Sequence, residues 1–222
     1  MRVSSRPVEL STRLEQPTQS RDRDRLERWA RVLARAGIGW HLIEFGIALG
    51  AGVAAGSVAL VGFGFDSLIE SAAALVILCL FSGGRGASHA AEQRAQRLIA
   101  LSYFLLVAYI SVEASRDLIG GHHPSASWVG IGLAAVTAPT MPVLARAKRR
   151  VGRQVGSRAT ESEATQNQIC AYLSIALLVG LLLNATVGWW WADPVAALVI
   201  AAVALNEGVR GWRGQICCDD CG

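Results

Sequence analysis

Six stretches of the chain are apolar over about 20 residues each, and the polar residues gather between them. They run roughly 36–55, 57–81, 98–119, 126–145, 165–187 and 190–210. A helix rises about 1.5 Å per residue, so each stretch can cross a hydrocarbon core about 30 Å thick. The pattern predicts an all-α membrane protein with six transmembrane helices. Ahead of the first span, Leu26-x-x-Trp29-x-x-x-Leu33 predicts a short amphipathic lead-in over 26–35. Residues 1–25 are polar and rich in arginine, serine and acid, which predicts a disordered tail. The chain therefore divides into this tail, a membrane domain over 26–213 and a short cysteine-rich tail over 214–222.

Composition agrees with the pattern. The 222 residues are 52% hydrophobic and 17% charged, and the charges are segregated rather than scattered. Residues 1–35 carry nine arginines and five acids, and 146–158 carry five arginines and the single lysine. The loop after the second span holds Arg85, Arg94 and Arg97, whereas the first, third and fifth loops are nearly neutral. By the positive-inside rule both termini and the two basic loops face the cytoplasm, as expected for a multi-pass protein of a bacterial inner membrane. The net charge of +4 thus reports orientation, not nucleic-acid binding. The tryptophans at 29, 40, 128, 189–191 and 212 fall near span ends, where indoles prefer to sit. No secretory signal opens the chain, and the five cysteines do not form a disulfide framework. Gly46-x-x-x-Gly50 and Gly52-x-x-x-Gly56 would let helices approach closely, and the first pair could support a homodimer. Pro139 and Pro142 are expected to kink the fourth helix.

The chemistry lies in polar residues within the spans. Asp66 and Glu70 are four apart in the second helix, so both carboxylates share a face. An acid at the bilayer centre costs about 3 kcal/mol or more, and a pair at one depth suits a divalent cation or a proton. In the fifth helix Gln166 and Cys170 have the same spacing. A thiolate is a strong zinc-type ligand and an amide oxygen a weak one; alone, Cys170 reads equally well as a small buried hydrophobe. Glu44, with His41 a turn before it, is a further intramembrane acid beside a nitrogen donor. Asp193 opens the sixth helix as Asp-Pro, an ordinary helix start or a pathway residue. A local ion pair with Arg116 accounts for Glu113 in the third helix, and His122 and His123 read as a solvated loop pair. Cys217, Cys218 and Cys221 enclose a Cys-x-x-Cys spacing with Asp219 and Asp220, which suits a soft metal, a redox pair or palmitoylation. There is no serine–histidine constellation and no His-Glu-x-x-His stretch, so an intramembrane enzyme is not expected.

These motifs together resemble the cation diffusion facilitator family over roughly 27–213. That family has six membrane helices with both ends cytoplasmic and exchanges divalent metal, usually zinc, for protons. Asp66-Ser-Leu-Ile-Glu70 matches its helix-two motif within a Gly-Phe-x-x-Ser-Leu pattern, with Glu70 in place of the usual aspartate. Ala192-Asp193-Pro194 is similar to its helix-six opening. The helix-five positions that hold His and Asp in the family are Gln166 and Cys170 here. The resemblance implies a metal site of Asp66, Glu70, Gln166 and Cys170. Glu44, His41, Asp193 and Glu163 would act as pathway or supporting groups, and the tail cysteines as a metal collector. The family's cytoplasmic ferredoxin-like domain is not expected in so short a chain. The implied function is proton-coupled efflux of a zinc-like divalent ion, with cobalt, cadmium or iron(II) as other cargoes and no tightly bound cofactor. The alternative is a non-transporting sensor or accessory relative, which the altered helix-five pair favours.

Overall fold

A computed structural model describes residues 7–82, 89–156 and 158–213, and over these the chain is helical apart from short connections. The six helices are α1 (Pro7–Ala55), α2 (Val58–Ser82), α3 (His89–Gly120), α4 (Trp128–Val155), α5 (Arg158–Val187) and α6 (Ala192–Trp212). All six contain a segment long and apolar enough to cross a membrane. The protein is a multi-pass, all-α membrane protein.

Three differences from the apolar pattern have one physical reason: hydropathy marks where the membrane ends, not where the helix ends. Helix α1 begins at Pro7, so the segment 7–25, expected as a disordered tail, is helical. Proline at a first helical position has its φ pre-set, and the glutamates, leucines and arginines that follow are good helix formers. The lead-in over 26–35 is one continuous helix with the first span, which leaves Trp40 well inside α1 rather than near its start. Helix α4 runs on through the basic segment 146–155, which hydropathy assigns to a loop. It also continues through Pro139 and Pro142, ending where Gly156 adopts φ 70° and returns its N–H to the Gly152 carbonyl. At its start Ser127 accepts a hydrogen bond from the Gly130 N–H at 3.2 Å.

Helices α1, α2, α4 and α5 close a ring, each touching the next, while α3 and α6 pair with each other and pack on α2. Helix α6 also packs on α5. The ring interior holds Ala48, Phe63, Met141, Cys170 and Leu177, all fully buried. Outward faces carry isoleucine, leucine and valine, such as Ile43, Val53, Leu105, Val136 and Val179, as a lipid-facing surface requires. Small residues set the spacing. A methyl group on Gly180 would lie 2.8 Å from Ala196 Cβ, so α5 and α6 meet nearly backbone to backbone. Of the glycine pairs in α1, Gly52 abuts Val61 and Leu60 of α2, whereas Gly46 and Gly50 meet nothing within 4 Å.

Candidate metal site

The inward face of α1 is read off its buried positions: Ala34, Gly37, His41, Glu44 and Ala48, at steps of three and four. Small residues bring the helix close to its neighbours, and between them stand an imidazole and a carboxylate. Glu44 is fully buried and His41 nearly so. Nδ1 of His41 lies 3.0 Å from Glu44 Oε2 and 3.3 Å from Glu70 Oε2. The other oxygen of Glu44 accepts a hydrogen bond from Thr137 Oγ1 of α4 at 2.5 Å. One nitrogen carries at most one hydrogen. It cannot serve both acids fully: Glu44 is the nearer, and both oxygens of Glu70 are buried without a hydrogen-bond partner. Glu44 lies about 17 Å along α1 from Ala55, and Glu70 about 18 Å along α2 from Val58. The two acids therefore sit at one depth, near the middle of a membrane.

Cys170 reaches the same place from α5. Its thiol is free and fully buried. A ring nitrogen of His41, a carboxylate oxygen of Glu44 and the Cys170 sulfur all lie within 4.8 Å of one another. Glu70, Glu44 and Asp66 are the charged neighbours of this thiol. Asp66 is one turn from Glu70 on α2, is buried, and has one oxygen, Oδ2, with no partner. The acids that act on it electrostatically are Glu207 of α6 and Glu44 of α1. Gln166 donates its amide to the hydroxyl of Tyr103 in α3 at 3.0 Å. Of the four ligands that the resemblance implies, Glu70 and Cys170 thus meet the α1 pair, Asp66 stands beside them toward α6, and Gln166 is held by Tyr103.

A second buried polar group lies between α4 and α5. The chain's only lysine, Lys148, has 3% of its side chain exposed. Its ammonium donates to Asn167 Oδ1 at 3.0 Å and pairs with Glu163 at 3.1 Å, while Asn167 donates to Met141 Sδ. A methyl on Gly37 would come 2.7 Å from Lys148 Nζ, so the amine packs directly against the α1 backbone at residue 37. Lys148 reads from the sequence as one more loop charge; burial makes it a structural cation instead. Glu163, expected as a supporting ligand, is occupied by this lysine.

Asp193 lies at another place and has another role. Its two oxygens accept from Ser57 Oγ at 2.5 Å and from the Ala59 N–H at 3.4 Å. The first residue pair of α6 thereby caps the start of α2, where unpaired N–H groups attract a carboxylate. The Arg116–Glu113 pair forms at 2.6 Å on the surface as the spacing predicts, and His123 stacks on Trp190. Cys217, Cys218 and Cys221 lie outside the described residues.

Residues 36–213 match the cation efflux transmembrane domain family. The chain is 27% identical over 197 residues to an uncharacterized transporter of Synechocystis sp., covering 85% of this chain and 64% of that protein. It is 29% identical over 116 residues to the magnetosome protein MamB of Magnetospira sp., covering 52% of this chain and 39% of that one. The chain thus spans less than two thirds of the length of either curated relative, 64% of the one and 39% of the other. With six spanning helices, the acid pair on the second and a family match over most of its length, the chain belongs to the cation efflux, or cation diffusion facilitator, family.

Proposed function

We propose that the protein carries a divalent, zinc-like metal cation out of the cytoplasm across a bacterial inner membrane, in exchange for protons. The observation that carries this reading is Glu70: a carboxylate at mid-membrane depth, buried, with neither oxygen hydrogen-bonded, one turn from a second buried acid. An uncompensated carboxylate in a low-dielectric interior is costly, and the cost is removed by a cation or a proton at that point. A metal held by carboxylates and a thiolate displaces protons from them, which couples the two fluxes. Asp66, Glu70 and Cys170 are the proposed ligands on α2 and α5, with Gln166 at the edge of the site. Both termini face the cytoplasm in this reading, and access alternates as helices tilt about a site near the midplane.

The test is metal uptake into proteoliposomes under an imposed pH gradient, screening zinc, cobalt, cadmium, manganese and iron(II), with Asp66→Asn in parallel. Flux that follows the gradient and is lost in the variant is the expected result. Tight metal binding with no flux would favour the sensor or accessory reading, which the replacement of the family's helix-five His and Asp by Gln166 and Cys170 supports. Wild-type flux in a folded Asp66→Asn protein would remove the carboxylate-centred mechanism altogether.

A further inference from the structure

We propose that the cargo site of this chain is built on three helices, with α1 supplying the nitrogen donor that α5 lacks. To Asp66 and Glu70 of α2 and Cys170 of α5, this helix adds His41 and Glu44 as donors, and the site selects borderline, thiophilic divalent ions such as zinc, cobalt(II) or cadmium over magnesium or manganese.

The geometry supports this in four ways. Donor atoms of His41, Glu44 and Cys170 already lie within 4.8 Å of one another, and Glu70 Oε2 is 3.3 Å from His41 Nδ1. Donors around a tetrahedral zinc-type ion stand roughly 3.3–3.8 Å apart, given metal–nitrogen and metal–sulfur bonds of about 2.0–2.3 Å. Side-chain rotation of about 1 Å closes the gap. Second, Nδ1 of His41 faces two carboxylate oxygens with a single hydrogen to offer, so one acid is left bare. A cation in place of that hydrogen serves both oxygens at once. Third, the ligand carboxylate is already aimed: Thr137 of α4 holds one oxygen of Glu44 and turns the other to the histidine. A fixed partner behind a ligand is how proteins orient metal donors. Fourth, the donor set of one nitrogen, one sulfur and carboxylate oxygens is the chemistry that separates zinc-type ions from the hard ions, which favour all-oxygen shells.

The consequence for selectivity is specific. The carboxylates alone would not discriminate strongly among divalent ions, whereas imidazole and thiolate do. This inference rests on the efflux reading for its physiological meaning; its first test reads binding, and flux then separates the two. Purified full-length protein with Cys217, Cys218 and Cys221 changed to serine is titrated with cobalt(II). The expected result is a tetrahedral visible spectrum with a thiolate-to-cobalt charge-transfer band, lost in Cys170→Ala. His41→Ala should weaken binding by more than the roughly 10–100-fold cost of losing an outer partner. Gln166→Ala should weaken binding less than His41→Ala does and keep the thiolate charge-transfer band. His41→Cys restores a donor and should recover binding with a stronger charge-transfer band, which separates a lost ligand from a misfolded variant. An unaltered spectrum and affinity in His41→Ala, with both lost in Gln166→Ala, would overturn the three-helix site in favour of one on α2 and α5. Flux that requires Asp66 yet ignores His41 and Cys170 would sink this site and leave transport standing. Cobalt binding as described, with no flux for any ion, would do the reverse.

Discussion

Two buried acids of this protein differ in one respect that separates their roles. Asp193 and Glu70 are both almost wholly enclosed, at 1% and 3% exposure. Asp193 accepts hydrogen bonds on both oxygens, from a serine and a backbone N–H at the start of α2. Glu70 accepts none, and the imidazole nitrogen 3.3 Å away, His41 Nδ1, also faces the nearer Glu44. Burial alone would mark both as functional. Partner saturation divides them: the first acid completes a fold, the second waits for a charge.

The sharpest way to break this contrast is Glu70→Gln, which keeps the shape and removes the charge. Metal flux should fall to background, while thermal unfolding in detergent should occur no lower than in the parent, because a bare buried acid costs about 1–3 kcal/mol that the amide does not. Intact flux with a large loss of stability would reverse the assignment. Next in size comes Lys148→Met, which strands Glu163 without its cation. Removing one partner of a buried pair costs about 3–5 kcal/mol, and adding Glu163→Leu should recover most of it. A non-additive double-mutant cycle would show this, and additive losses would deny the pairing. Asp193→Ala should cost about 1–2 kcal/mol as a lost cap, with flux per folded molecule unchanged. A selective loss of flux there would return Asp193 to the transport pathway. Gln166→Ala is the mildest: loss of its Tyr103 hydrogen bond should cost about 1 kcal/mol, seen as a small drop in melting temperature.

The membrane architecture was legible because its cause is local. A predominantly apolar stretch of about 20 residues in α2 or α5 declares a span whatever surrounds it, and four-residue spacing puts Asp66 and Glu70 on one face. The grouping of donors was only half legible. His41 and Glu44 are visible as a pair one turn apart inside the first apolar run, but which neighbouring helices that pair faces is decided by packing and not by local sequence. A better signal was present in the small residues at 34, 37 and 48, which share their stripe and mark it as the inward face. Gln166 could not be placed from its spacing to Cys170, since its partner Tyr103 lies 63 positions away on α3. Lys148 misleads for a related reason. Hydropathy counts it with the arginines of a basic loop, and only the packing of α1, α4 and α5 around it reveals a buried ammonium.

That lysine gives the protein an unusual chemical property. The other cationic side chains of the Lys and Arg set are all arginines, so the molecule has a single side-chain amine, and it is sealed between helices. Amine-reactive labels and lysine-specific proteases should find no side-chain target until α4 and α5 part. The rate at which Lys148 becomes labelled is then a direct clock of that opening.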